Sequence, residues 1–229
     1  MIFMRKQLRK NLKNNLLKRR SRRHKRNFRK QDNYGGHYHF WQREDFYAFG
    51  LTIHNYYEDY QAKENADNVV QKLAHVMKKE DTSSLYKMNP DIEMPTKTID
   101  GIKYIGVLEV PELSLQLPVM SHWSLAGLKI APGRYKGSVY KRNIIIAGHN
   151  YRSHFSRLKT LDIGSKIWFI DVEGNRFEYK VSDIEIIKGT NVKQMEKGKW
   201  DMTLFTCTYG GQNRMALRCT LTNAVAGEN

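Results

Sequence analysis

The 229-residue sequence predicts an all-β domain preceded by an amphipathic helix. Three observations carry that prediction. After Asp100-Gly101 the chain breaks into short apolar runs separated by turn signals, which suits a closed barrel or sandwich of many short strands. Before it, Ala62, Ala66, Val69, Val70, Leu73, Val76 and Met77 recur at three- and four-residue steps, the period of a helix with one buried face. The chain length accommodates one sizeable domain with an extension rather than two full domains.

The helix is expected from Leu51 to about Glu80. Asn89-Pro90 and Met94-Pro95 then break any helical pattern, so Asp81 to Thr98 reads as a linker. Strands are expected at Ile102 to Val110 and Leu113 to Pro118, with Pro111-Glu112 turning the chain between them. Further strands are expected at Ser138 to Ala147, Lys166 to Asp171, Arg176 to Ile187, Asp201 to Cys207 and Arg214 to Thr222. Glu173-Gly174-Asn175 supplies a hairpin turn, and short helices are expected at Ser121 to Leu125 and His154 to Leu158. There is no internal repeat. GxGxxG and GxxxxGK[ST] phosphate loops are also absent from the sequence, which removes nucleotide-dependent chemistry as a leading option.

The net charge of +16 is concentrated at one end. Residues 1–30 hold 14 of the 39 Lys and Arg and no acidic residue, leaving 25 basic against 23 acidic side chains in the rest. A head such as Lys18-Arg19-Arg20-Ser21-Arg22-Arg23-His24-Lys25-Arg26 could bind phosphates, or form the cytoplasmic flank of a membrane anchor. No run of about 18 apolar residues comes after it. The stretch from Gln31 to Gly50 is aromatic but carries Asp32, His37, His39, Arg43, Glu44 and Asp45, and it lacks the features of a signal peptide. His37 and His39 alone make a poor metal site and are read as surface residues; no metal or cofactor is expected.

Chemistry is suggested by three residues at strand ends. The alternation of Asp201-Met202-Thr203-Leu204-Phe205-Thr206-Cys207 puts Met202, Leu204 and Thr206 on one face and Thr203, Phe205 and Cys207 on the other. Cys207 ends this run before Thr208-Tyr209-Gly210-Gly211, where a side chain is held rigidly yet stays reachable. For an arbitrary cysteine the better guess is a small buried hydrophobe. Cys219 is the other cysteine, and both are expected to be free thiols. Ile144-Ile145-Ile146-Ala147-Gly148 delivers His149 at a strand exit, although His122 and His154 are rivals on position alone. Arg214 and Arg218, four apart, share one strand face, with Met215, Leu217 and Cys219 on the other. A thiol that attacks, an imidazole that moves protons and a fixed cation for developing negative charge would form a cysteine-nucleophile site.

Together these elements resemble the sortases, membrane-anchored cysteine transpeptidases of Gram-positive bacteria. The likeness rests on Thr203-Leu204-Phe205-Thr206-Cys207, Gly148-His149 and Arg214, and covers roughly Ile102 to Thr220. It implies a closed sortase-type barrel of about eight strands, with catalytic residues His149, Cys207 and Arg214. Arg214 is preferred to Arg218 because it begins the strand after the loop. The loop from Cys207 to Arg214 is short for the family. Leu117-Pro118-Val119-Met120-Ser121-His122-Trp123 and Lys129-Ile130-Ala131-Pro132-Gly133 look most like a class B-like branch.

The implied reaction cleaves an LPxTG-like sorting signal through a thioacyl intermediate and transfers the acyl group to an amine of a peptidoglycan precursor or a pilin lysine. The alternatives are net peptide hydrolysis at the same site, or a basic module binding nucleic acid or anionic lipid. The implied location is the cell membrane with the catalytic domain outside, an anionic membrane surface being a further partner and nucleic acid none. The expected organisation is a basic segment over 1–50, helix and linker over 51–98, and a catalytic barrel over 99–229. Where sortases carry an apolar anchor, this sequence has its polar, aromatic-rich stretch. One expectation is that the first 50 or so residues derive from an altered reading frame or start.

Overall fold

The computed structural model describes residues 49–77 and 89–225. The basic head, His37, His39, the aromatic stretch before Phe49, the end of the expected helix and the first half of the linker lie outside these residues. The chain divides into two compact units, Met1–Asn55 and Tyr56–Asn229. In the first, residues 49–55 are helical. The second holds every strand among the described residues.

Among the described residues nine strands form one sheet, and eight of them close it. β1 (Lys97–Ile99) pairs antiparallel with β2 (Ile102–Val110). β2 also pairs antiparallel with β3 (Leu115–Met120), and β3 touches β4 (Gly133–Lys136) through the parallel rung Met120↔Gly133. β4 runs antiparallel to β5 (Ile144–Ala147). β5 then lies parallel to β8 (Met202–Cys207), which is antiparallel to β9 (Asn213–Val225). β9 continues antiparallel to β7 (Arg176–Lys188), and β7 to β6 (Lys166–Asp171). The closing seam is β2 against β6, from Gly106↔Asp171 to Glu109↔Trp168. The all-β, closed-barrel expectation of about eight strands is therefore met, with β1 as an addition beyond the closed set.

Inward-facing residues fill the barrel: Ile105, Leu108, Leu117, Ile144, Ile146, Phe169, Phe177, Leu204 and Leu217 are all essentially inaccessible to solvent. Each contributes about 1.5–3 kcal/mol through burial. The helix of residues 49–76, α1, packs a stripe of Ala62, Ala66, Val69 and Leu73 on the barrel. Val69 and Leu73 join Ile99, Tyr104, Val107, Met120, Ala131 and Val172 in a second apolar cluster. Val76, placed on that stripe by its spacing, is exposed instead, because it falls at the stripe's edge while Leu73 and Met77 occupy the centre.

Local departures have local causes. The strand expected from Ser138 begins only at Ile144, because Asn143 Oδ1 accepts from Ser138 N at 3.0 Å and Ser138 Oγ from Tyr140 N at 3.1 Å, closing a turn. Ser121 to Leu125 is not helical. Ser124 Oγ instead accepts from Gly127 N at 2.9 Å, tying the start of the 3-10 turn Gly127–Lys129. The short helix expected at His154 to Leu158 is a 3-10 helix shifted to Ser156–Thr160. β1, β4 and a short helix α2 (Val192–Glu196) are additional elements; Asn191 caps α2, accepting from Gln194 N at 3.1 Å.

Candidate active site

The parallel β5–β8 pair sets the site. Ala147 is level with Phe205, and Gly148 N extends the ladder by donating to Phe205 O at 3.0 Å. The next residue on one strand is His149, and two on from Phe205 on the other is Cys207. Both therefore leave the sheet at the same end, from strands whose usual separation is about 4.8 Å.

Gly148 serves close approach rather than unusual backbone. A Cβ there would lie 2.3 Å from Phe155 Cδ2, so only glycine lets the Phe155 ring close over the strand exit. Phe155 N in turn donates to His149 O at 3.2 Å.

Cys207 is exposed at the end of a strand whose Met202 and Leu204 are buried in the core. It is thus not the small buried hydrophobe that cysteines usually are. Cys219 is: burial pushes its thiol up to about 12, opposed by the neighbouring Arg218 charge. Neither cysteine is in a disulfide.

Directly across the ladder from Cys207 is Arg214. The turn joining them is tight. Thr208 Oγ1 donates to Asn213 O at 3.2 Å, Thr208 N donates to the same oxygen at 3.0 Å, and Gly210 and Gly211 take φ of 85° and 73°, the left-handed region that glycine alone adopts without strain. Arg214 Nη1 donates to Gly211 O at 2.8 Å and Asn213 O at 3.0 Å. Both bonds use one nitrogen, so Nη2 and Nε keep N–H groups without a partner among the described residues.

Cys207 and Arg214 share the wall of a cavity of about 270 Å³. Its apolar side includes Trp123, Leu128, Tyr135, Met195 and Phe205, and Lys188 also reaches it. Tyr135 meets Phe205 edge-on at 5.5 Å and lies 5.6 Å from Trp123, so three aromatic rings form one continuous surface.

The structure thus brings Cys207 and Arg214 together on the cavity wall. His149 leaves the sheet beside them, and its neighbour Gly148 is the residue that lines the cavity. The His149 ring stacks on Tyr151, with centroids 3.7 Å apart and planes at 26°. Its Nδ1 is buried with no hydrogen-bond partner among the described residues. Burial holds its pKa below the usual histidine value; the Glu58 charge works against that and the Lys129 charge adds to it. Of the rivals, His122 is exposed, 3.1 Å from Ser121 Oγ through Nδ1. His154 is fully buried, and burial lowers its pKa to about 4. Arg218, the other candidate cation, is also buried, and its two Nη groups donate to the α2 carbonyls of Met195 and Gln194.

Sequence reasoning missed the groups behind the histidine. Glu58 on α1 accepts from Tyr151 Oη at 2.8 Å and pairs with Lys129 at 2.7 Å. It also missed Tyr135, on β4, and the α2 residues that line the cavity. A helical carboxylate carries no sign in sequence of the distant side chain it will meet.

Fold and site together define a β-barrel protein with an exposed thiol and a guanidinium at the mouth of an apolar cleft. Residues 108–222 match the family model described as "Sortase domain". Sortase A of Bacillus anthracis is 31% identical over 163 residues, covering 66% of this chain and 77% of that protein. The chain belongs to the sortase family, and is an enzyme of that transpeptidase family.

Two solved structures share the fold at low identity. Sortase C of Streptococcus pneumoniae has a TM-score of 0.54 at 18% identity, covering 68% of this chain and 97% of that one. The Sortase D5 transpeptidase of Clostridium perfringens has a TM-score of 0.50 at 18% identity, covering 70% and 98%. These relatives carry the class letters A, D and C, so they lend the class B-like expectation no support. Sortases are cell-surface enzymes; among the described residues no helix is long and apolar enough to cross a membrane.

Proposed function

We propose that this protein is a cysteine transpeptidase in which Cys207 is the nucleophile, His149 the proton carrier and Arg214 the oxyanion or substrate donor. The Cys207 thiolate attacks the carbonyl carbon of the threonine in an LPxTG-like signal. Negative charge gathers on the carbonyl oxygen, where the unpaired N–H groups of Arg214 can meet it. The C–N bond then breaks as His149 gives its proton to the departing amine, leaving a thioester on Cys207. An acceptor amine attacks that thioester and returns a proton to His149, and the thiolate leaves. One amide bond is broken and one formed. The acceptor is an amine of a peptidoglycan precursor or a pilin lysine.

Residues 99–229 are the catalytic barrel in this reading, residues 51–98 its helix and linker, and residues 1–50 a basic segment suited to an anionic membrane surface.

The observation that carries the reading is the last rung of the β8–β9 ladder, Cys207↔Arg214, open to solvent on the wall of an apolar cavity. The apolar side suits the leucine of a sorting signal, and the polar rung suits its reacting carbonyl. The test is to incubate the protein with a panel of sorting peptides, with and without an amine, and weigh the products. A Cys207 acyl adduct that passes to the amine supports transfer; release to water alone favours net hydrolysis. An active Cys207→Ala variant would refute the assignment.

A further inference from the structure

We propose that helix α1 positions the His149 imidazole through a two-step contact: Glu58 holds the Tyr151 hydroxyl, and the Tyr151 ring holds the imidazole by stacking. The kinetic consequence rests on the reading of His149 as the proton carrier; the orientation itself does not.

A histidine that moves protons is normally oriented by a hydrogen bond on the ring nitrogen facing away from the reaction. In this protein His149 Nδ1 is buried and has no such partner among the described residues. The ring face is covered by Tyr151, at 3.7 Å between centroids. A stack fixes tilt and distance only if the stacking partner is itself fixed. Tyr151 is buried, and its hydroxyl donates to Glu58 Oε2 at 2.8 Å. The other carboxylate oxygen, Oε1, is held by Lys129 Nζ at 2.7 Å, so Glu58 cannot swing away without breaking an ion pair. One residue along, Asp59 ties the same stretch of α1 to the loop: its Oδ1 accepts from Ser153 N at 2.8 Å and from Ser153 Oγ at 2.7 Å.

The helix thus does more than cover apolar surface. Five groups face the imidazole, its stacking partner or both: Glu58 and Asp59 from α1, Lys129 from the turn Gly127–Lys129, and Tyr151 and His154 from the loop after β5. Glu58 is the one anion among those acting on His149 and favours the protonated ring that would donate to a leaving amine.

The experiment compares Glu58→Gln, Tyr151→Phe and Ser153→Ala in the full chain. Each is assayed for transfer kinetics with sorting peptide and amine, and for titration of the His149 ring by NMR, assigned by difference with His149→Gln. Glu58→Gln is expected to lower the His149 pKa and to cut kcat about tenfold with KM little changed. Tyr151→Phe keeps a ring in place but frees it from Glu58, and is expected to reduce kcat in the same way. Ser153→Ala removes the Oγ bonds to Asp59 but keeps the bond from Ser153 N, so the Glu58–Tyr151 contact stays in place and its His149 titration should match the unsubstituted protein.

The proposal is overturned if Glu58→Gln and Tyr151→Phe leave both the titration and kcat unchanged, or if Ser153→Ala shifts the titration as far as Glu58→Gln does. If the unsubstituted chain transfers no peptide, the titration still decides. Altered titration in both Glu58→Gln and Tyr151→Phe, with Ser153→Ala unshifted, upholds the positioning, and the failure then falls on the transpeptidase reading.

Discussion

Arg214 and Arg218 share one face of β9 and meet opposite surroundings. The Arg218 guanidinium is 1% exposed, with Nη1 donating to Met195 O at 2.7 Å and Thr203 Oγ1 at 3.0 Å, and Nη2 to Gln194 O at 2.8 Å and Glu185 Oε2 at 3.3 Å. It binds the last carbonyls of α2 to the barrel. Cations are favoured there, because a helix C-terminus presents unsatisfied carbonyls. Arg214 reaches only its own turn and keeps free N–H groups beside Cys207.

The two arginines should therefore fail differently. Arg218→Ala leaves the Met195 carbonyl and the Thr203 hydroxyl without that donor and Glu185 without its ion-pair partner, and is expected to cost about 3 kcal/mol of stability. Arg214→Ala should leave the urea midpoint nearly unchanged while sharply reducing kcat for peptide transfer. Denaturation and kinetics measured on both variants check this. A stable but inactive Arg218→Ala, with Arg214→Ala active, would reverse the assignment.

The two thiols should differ as sharply. At pH 8 iodoacetamide is expected to add once to the folded protein, at Cys207, because Cys219 is inaccessible and its thiol is pushed up to about 12. Intact-mass analysis reads one adduct before urea and two after. Cys207→Ala should show none before urea and no turnover.

Much of the barrel and its site is legible in sequence, for identifiable reasons. β2, β6 and β8 coincide with apolar runs bounded by turn residues, so their ends fall where expected. Cys207 and His149 are visible because their strands are strongly apolar up to the exit. β4 is not. Gly133-Arg134-Tyr135-Lys136 has no apolar run, and its place is fixed by pairing with β5, which lies beyond a turn in the sequence. α2 is too short to show a helical period. The choice between Arg214 and Arg218 needs three dimensions, since only the α2 carbonyls distinguish a structural guanidinium from an available one. Glu58, more than 90 residues from Tyr151, belongs to the same class of fact.

Gly148 offers a test of how closely the strand exit is packed. Gly148→Ala would drive a methyl group to 2.3 Å from Phe155 Cδ2, forcing the ring or the His149 segment to move. The expected cost is about 1–3 kcal/mol. Activity should fall further than stability alone explains, because the displaced backbone carries His149. Combining it with Phe155→Leu, which vacates the ring's space, should recover part of the activity. Thermal melts and transfer rates on the single and double variants decide it.

The acid limb of the stability curve should belong in good part to His154. Its ring is fully buried and burial lowers its pKa from the ordinary 6.5 to about 4, so the folded protein resists taking up a proton there. Between these values the unfolded chain binds the proton and the folded one does not. The stability this group contributes is therefore fully present above pH 6.5 and is lost as the pH falls toward 4. The full span amounts to about 3 kcal/mol. His149, also lowered by burial, adds in the same direction. His154→Phe keeps an aromatic ring in the space but cannot titrate. Urea unfolding between pH 4 and 7.5 should show a shallower acid-side loss in the variant, by about that amount, while background carboxylate titration cancels in the comparison. Parallel curves for the two proteins would mean that the folded barrel opens enough to hydrate the ring.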